Sequence, residues 1–215
     1  MGQIDFSQIL ISMVVMLFSL SIHESAHAWA ADRLGDYTGR YMGRISLNPL
    51  VHIDPIGTVL FPLIAAVTSI PLIGWAKPVP VNSQHLKHPT RDHMYIAAAG
   101  PAINVVAGVG FAVTTRLLTA GFGSRVYTDP VLTPLFQLAT IGILVNFALA
   151  AFNLIPIPPL DGSWILVGAL PPGLAEAYNR IRPYGFLLLL ALLYTGALNV
   201  ILSPVFGLIS FLMQL

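Results

Sequence analysis

The sequence predicts an all-α polytopic membrane protein, a single integral-membrane domain with a core of three membrane-spanning helices. Of its 215 residues, 56% are hydrophobic and only 9% are charged, compared with about 25% charged residues in soluble domains. Three apolar segments reach the roughly 20 residues that a helix needs to cross the hydrocarbon core. They cover residues 6–30, 94–118 and 131–154.

The other apolar segments do not fit straight membrane-spanning helices. Residues 56–73 contain two internal prolines, which favours a re-entrant hairpin over a continuous helix. Residues 75–81 contain two further prolines and predict a short extended segment. Residues 184–215 are longer than one ordinary span and carry Pro204 near the middle. This tail therefore fits either one kinked helix or a helical hairpin.

Charge and cysteine content narrow the partners and the metal ligands. The formal net charge is +1 and the chain has no sustained run of Lys or Arg, so a nucleic-acid partner is not expected. The absence of cysteine excludes disulfides and thiolate ligands, so any zinc ion must be held by histidine and carboxylate side chains. The lipid bilayer is the expected surrounding, and no pattern indicates an oligomeric state.

His23, Glu24 and His27 form an HExxH pattern near the end of the first apolar segment. On an α-helix, residues four positions apart share a face, so both imidazoles can bind one metal ion while Glu24 lies beside them as a general base. A buried polar cluster without metal is the simpler alternative. Ionisable side chains at membrane depth cost several kcal/mol and usually mark function, so the pattern predicts a metallohydrolase site.

A catalytic zinc ion takes three protein ligands and keeps one open position. Asp161 is the best candidate for the third ligand, because it follows an apolar helix and lies among prolines that restrict the backbone. Taken alone, Asp161-Gly162 would be an ordinary turn at a helix end. His52 and Asp54 are alternative ligands, although the prolines around them are typical of turns. The histidines of the polar loop are predicted to be solvated: His85, His88 and His93.

The positions of these ligands also predict the topology. His23 and His27 lie toward the end of the first span and Asp161 lies just past the end of the third, so both ends must share one membrane face. The second span then runs in the opposite direction, and residues 56–73 must return to the side from which they entered. This arrangement places eight of the ten basic residues on one face. The positive-inside rule makes that face cytoplasmic, with the N-terminus outside.

Three motifs together resemble the site-2 protease family of intramembrane zinc metalloproteases, in its short prokaryotic branch without PDZ or CBS domains. They are residues 23–27, residues 100–104 (Gly-Pro-Ala-Ile-Asn) and residues 153–162, which end in Leu-Asp-Gly. The likeness covers most of the chain. It implies a three-helix catalytic core, one zinc ion per chain held by the two histidines and Asp161, and cleavage of membrane-embedded substrate helices.

Asn104 and Asn153 are the amide side chains of the second and third motifs. Either could donate a hydrogen bond to a substrate backbone or to a developing oxyanion, and the resemblance implies substrate contact for both. The alternative is that they join neighbouring helices, as asparagine often does in membranes.

The sequence therefore predicts a zinc-dependent intramembrane endopeptidase of a prokaryotic cell membrane that acts on single-span membrane proteins. Two other classes of function are also considered. A transporter or proton relay could use the same cluster of His23, Glu24 and His27, and it would not require Asp161 or zinc. A catalytically idle homologue that binds partners would keep the pattern without the reaction.

Overall fold

The computed structural model describes residues 6–60, 64 and 75–214, and this part of the chain contains α-helices and no β-strand. The prediction of an all-α protein is therefore confirmed. The α-helices are α1 (Phe6–Arg33), α2 (Thr38–Tyr41), α3 (Pro89–Phe122), α4 (Leu132–Asn153), α5 (Asp161–Ala169), α6 (Pro172–Asn179), α7 (Gly185–Thr195) and α8 (Ala197–Gln214).

The three predicted spans correspond to α1, α3 and α4. By length and composition these three helices can each cross a membrane, and the bent pair at the C-terminus raises the number to four if it counts as one span. Many of their large apolar side chains are exposed, including Phe6 at 79% and Leu117 at 67%. Apolar exposure on this scale is unusual for a soluble monomer and suits contact with lipid.

Helix α3 begins earlier than predicted, at Pro89 rather than residue 94. Proline is favoured at the first helical position because its missing N–H would have no partner there. The Asp92 carboxylate lies in the first turn and accepts a hydrogen bond from the backbone N–H of His88. Pro89 and Asp92 therefore extend α3 by a polar first turn ahead of the apolar segment.

The three spans pack against one another as a bundle, with α3 in contact with both α1 and α4. Small residues allow the close approach between α3 and α4. Gly108 of α3 lies against the ring of Phe147, and Gly142 of α4 lies against the ring of Phe111. Helix α8 covers α4 through Ile209, which packs with Ile143 and Phe147. The metal site described below lies within this bundle.

The loop after α1 is held by buried polar groups. The Asp36 carboxylate is fully buried and accepts hydrogen bonds from Thr38, from the backbone N–H of Asn82 and from His85. Burial raises the pKa of this carboxyl, but these hydrogen bonds outweigh burial and hold the pKa below its ordinary value. Asp36 is therefore ionised at neutral pH and ties the start of the loop to residues 82–85.

The segment after residue 74 is fastened to the same loop. The buried guanidinium of Arg44 donates to the carbonyls of Val51 and Lys77, and the Lys77 N–H donates to the carbonyl of His52. Residues 75–82 contain no regular secondary structure. Hydrogen bonds to the preceding loop, rather than a β-ladder, therefore position this segment.

The sequence predicts a re-entrant hairpin over residues 56–73, and the structure describes mainly the beginning of this segment. Pro55–Leu60 form a π-helical turn, and the Asp54 carboxylate caps it by accepting from the N–H groups of Ile56 and Gly57. Residues 61–63 and 65–73 lie outside the described residues. The hairpin stays a prediction.

The C-terminal tail forms two helices, α7 and α8. The helical segment that ends at Thr195 meets α8 at 75°, so the tail is more sharply bent than one kinked helix and less closed than an antiparallel hairpin. The break lies at Gly196, whose φ of +75° is in the left-handed region that favours glycine. Pro204 lies inside α8 and does not interrupt it.

Candidate metal centre

His23, His27 and Asp161 come together as the sequence predicts. The Asp161 Oδ2 atom lies 3.1 Å from His23 Nε2 and 3.4 Å from His27 Nε2, and the ligand atoms of the three side chains lie within 4.8 Å of one another. The two histidines are one helical turn apart on α1. The prolines that follow α4 end that helix and let the chain begin α5 at Asp161, beside them.

Hydrogen bonds on the far side of each imidazole determine its tautomer. His27 Nδ1 lies 2.7 Å from the carbonyl oxygen of Ile96, and His23 Nδ1 lies 2.6 Å from Asn104 Oδ1. Carbonyl oxygens can only accept, so each Nδ1 carries the proton. In a neutral imidazole protonated at Nδ1, the Nε2 atom presents a lone pair, which here points toward Asp161.

These three side chains fit a zinc ion. Asp161 Oδ2 is buried and accepts no conventional hydrogen bond among the described residues. The two Nε2 atoms lie only 3.0 Å apart. The lone pairs of two neutral imidazoles and the carboxylate repel one another unless a metal ion or a shared proton lies between them. Two imidazole nitrogens and one carboxylate oxygen are also the donor set of a catalytic zinc site.

Gly100 makes the close approach of α3 to the two histidines possible. A Cβ atom at this position would lie 2.5 Å from His27 Nε2 and 2.6 Å from His23 Nε2. Pro101 follows within the same helix. It has no N–H to donate to the carbonyl of Ala97, four residues earlier. The absence of a side chain at Gly100 lets α3 bring the Ile96 carbonyl next to His27.

Glu24 lies beside the three ligands on the wall of a cavity of about 640 Å³. Glu24 is half-buried and does not belong to the group of potential metal ligands. Asn153, Trp164 and His93 also line this cavity. The rest of the described lining is mainly apolar, including Leu20, Leu149, Phe152, Phe186 and Leu189. The cavity is therefore a mainly apolar space with the candidate metal ligands on its wall.

The two predicted amides lie in different places. Asn153 lines the cavity, and its Nδ2 donates to the carbonyl of Leu149. Asn104 is fully buried behind His23 and does not line the cavity. Its predicted contact with substrate finds no support in this position.

The remaining histidines do not gather into another metal site within the described residues. His52 is buried and its Nε2 donates to the carbonyl of Ser46, so it stabilises the loop as the turn interpretation requires. His85 and His88 are exposed, as predicted. The prediction that His93 is solvated is wrong, because its ring is half-buried, stacks on Trp164 at 4.7 Å and lines the cavity.

Sequence reasoning missed several residues of the site. Two of them, Ser19 and Asn146, occur in sequence patterns that could have identified them. Asn146 is an isolated amide inside the most apolar of the three spans, where a polar side chain usually has a partner. Ser19 lies four residues before His23 and therefore on the same face of α1. The carbonyl of Ile96 leaves no sequence signal, because it is a backbone group.

Comparison with known proteins identifies the family. The model of peptidase family M50 matches residues 125–193, a segment that includes Asp161 but not the histidine pair. The chain is 36% identical over 193 residues to "Putative zinc metalloprotease YwhC" of Bacillus subtilis (strain 168), covering 89% of this chain and 84% of that protein.

Two mycobacterial proteins share the printed name "Putative zinc metalloprotease Rip2". The one from Mycolicibacterium smegmatis is 35% identical over 185 residues, and the one from Mycobacterium tuberculosis (strain ATCC 25618 / H37Rv) is 28% identical over 184 residues. Each match covers 85% of this chain and 66% of the relative. No solved structure matches the chain. Its multi-pass apolar helices, its ligand triad and its long match to a relative at 36% identity place the chain in peptidase family M50, the site-2 protease family of zinc metalloproteases.

Proposed function

We propose that this metalloprotease hydrolyses peptide bonds inside the membrane-spanning helices of single-span proteins, with one zinc ion held by His23, His27 and Asp161. The observation that carries the proposal is the position of the ligand triad. It lies with Glu24 on the wall of an apolar cavity, between helices that are long and apolar enough to cross a membrane. A chain that enters this cavity must itself be largely apolar.

The side chains of the cavity supply the groups that the reaction needs. When bound, zinc supplies Lewis acidity for the scissile carbonyl and makes water more acidic. The Glu24 carboxylate takes the proton of the attacking water and passes it to the nitrogen of the leaving amine. The Asn153 amide, which lines the same cavity, donates a hydrogen bond to the substrate backbone or to the developing oxyanion.

The proposal includes an orientation in a prokaryotic cell membrane, with the N-terminus outside and the metal site toward the cytoplasm. The distribution of the basic residues supports it. The chain contains no cysteine, so a single cysteine introduced at the exposed Tyr41 can be labelled selectively. We expect labelling from the cytoplasmic side only, and labelling from outside would contradict the orientation.

Metal analysis joined to a cleavage assay tests the central proposal. The full chain is purified, its zinc content is measured by mass spectrometry, and single-span membrane proteins are reconstituted with it in liposomes. We expect about one zinc ion per chain and cuts within the apolar segment of a substrate. Asp161→Ala should lose both the metal and the cleavage, because two imidazoles alone leave the site one ligand short.

Glu176→Ala is the control, because Glu176 is an exposed acidic residue on α6 that pairs with Arg180 and is not among the described residues that line the cavity. It should keep wild-type zinc content and cleavage. Cleavage by a zinc-free protein, or cuts confined to substrate segments outside the membrane, would contradict the proposal. Transport without bound zinc would favour the alternative of a proton relay.

A further inference from the structure

Behind His23, three polar side chains from the three core helices form a chain of hydrogen bonds. Ser19 of α1, Asn104 of α3 and Asn146 of α4 are each 0% exposed. Asn104 Nδ2 donates to Asn146 Oδ1 at 2.8 Å and to the Ser19 carbonyl at 3.2 Å. Asn146 Nδ2 donates to Ser19 Oγ and to the Gly142 carbonyl, both at 2.9 Å. Both donor groups of each amide therefore have partners.

Only one orientation of the two amide groups satisfies all of these hydrogen bonds. The Gly142 carbonyl can only accept, so the Asn146 amide must turn its Nδ2 toward it and its Oδ1 toward Asn104. That oxygen and the Ser19 carbonyl are both acceptors, so Asn104 must turn its Nδ2 toward them. The remaining atom of the amide, Asn104 Oδ1, therefore faces His23 as an acceptor.

The consequence for His23 is a single tautomer. Its Nδ1 must carry the proton that Asn104 Oδ1 accepts, so the neutral imidazole keeps its lone pair on Nε2, the atom that faces Asp161. His27 reaches the same tautomer more directly, through the backbone carbonyl of Ile96. One ligand is thus oriented by backbone and the other by two side chains, each from a different helix.

We propose that Asn104 and Asn146 act together as positioning residues that hold His23 in its metal-binding tautomer, and that Asn146 acts only through Asn104. The inference rests on the proposed function, since it takes the triad as a zinc site. It differs from simple joining of helices, because it requires the acceptor at position 104 for zinc affinity and not only for stability.

The zinc affinity of the purified full chain, measured by competition with a chelator, tests the first part. In Asn104→Leu, the leucine side chain has a similar volume to asparagine but no hydrogen-bond acceptor. We expect zinc affinity to fall about 10- to 100-fold, as it does when other groups that orient metal ligands are removed. Asn104→Asp keeps an acceptor oxygen for His23 Nδ1 and, as the protonated acid, donates one hydrogen bond in place of the two from Asn104 Nδ2, so it should bind zinc more tightly than Asn104→Leu. Wild-type affinity in Asn104→Leu, or an equal loss in Asn104→Asp, would overturn the inference.

A double-mutant cycle tests the coupling between the two amides. Asn146→Leu removes the acceptor that orients Asn104 and should also weaken zinc binding. Because Asn146 acts only through Asn104, the double variant should bind zinc as Asn104→Leu does. Losses that multiply in the double variant would show two independent structural contributions and would refute the coupling. Asn199→Leu, which changes an exposed residue of α8, should leave zinc affinity unchanged.

Imidazole ¹⁵N resonances of the zinc-loaded protein give a readout that a purely structural contribution would not change. The wild type should show Nδ1-protonated, hydrogen-bonded imidazoles for both ligands, and Asn104→Leu should lose the hydrogen-bond shift of Nδ1 for His23 alone. If a leucine variant does not fold, Asn104→Ala and Asn146→Ala provide the same comparison. Absence of zinc binding in the wild type would refute the proposed function, whereas zinc binding that Asn104→Leu leaves unchanged would refute only the positioning inference.

Discussion

Replacing Glu24 with glutamine is expected to abolish proteolysis while the protein keeps its zinc. The amide has nearly the same shape but cannot take a proton from water, and proton transfer of this kind contributes about 10²- to 10⁴-fold to a rate. Glu24 lies on the cavity wall but outside the ligand group, so metal binding should not change. The measurement is kcat/KM on a reconstituted single-span protein, with zinc content determined on the same sample.

Glu176→Gln makes the same chemical change at an exposed position of α6 and should retain full activity. If proteolysis persists in Glu24→Gln, Glu24 is not the general base. An inactive variant that keeps its zinc is also a trap for substrates. When it carries photo-crosslinkers along the cavity, mass spectrometry of the captured proteins would identify single-span substrates directly.

Replacing Gly100 with alanine is expected to weaken zinc binding and proteolysis together. The added Cβ would lie 2.5 Å from His27 Nε2 and 2.6 Å from His23 Nε2, so α1 and α3 must separate or the imidazoles must turn. Overpacking of this kind costs about 1–3 kcal/mol. If that cost falls on the metal-bound geometry, zinc affinity drops about 5- to 150-fold. Chelator competition and the cleavage assay measure the two effects.

Gly110→Ala is the matched control for this change. Gly110 lies on the same helix, and a Cβ there would meet no atom within 4 Å. Alanine is the better helix former by about 1 kcal/mol, so Gly110→Ala should keep zinc and activity and should not be less stable. Wild-type zinc affinity in Gly100→Ala would contradict the close contact between α3 and the ligands.

Much of the fold and the ligand triad could be predicted from local properties of the chain. The three spans follow from apolar length, and the pairing of His23 with His27 follows from the helical repeat. The boundaries were less predictable, because they depend on capping. His88 and Pro89 start α3 in a polar turn, and Gly196 rather than Pro204 breaks the C-terminal helices.

The surroundings of the ligands could not be predicted in the same way. Asn104 and Asn153 were both expected to contact substrate, but the fold buries Asn104 behind His23 and places Asn153 on the cavity wall. His93 was expected in solvent, but it stacks on Trp164 because α5 packs against α3. These positions depend on which helices meet, and no local pattern contains that information.

The sequence by itself determined the class of protein, the spacing of the HExxH residues and the restriction of the third ligand to histidine or a carboxylate, because apolar length, helical period and the absence of cysteine are properties of the chain alone. Only the tertiary structure decided which oxygen each imidazole bonds and therefore which nitrogen faces Asp161. His23 and Asn104 are 81 residues apart in the chain, and Ser19 and Asn146 are 127 apart. Hydrogen bonds over such separations form only when the three helices pack together.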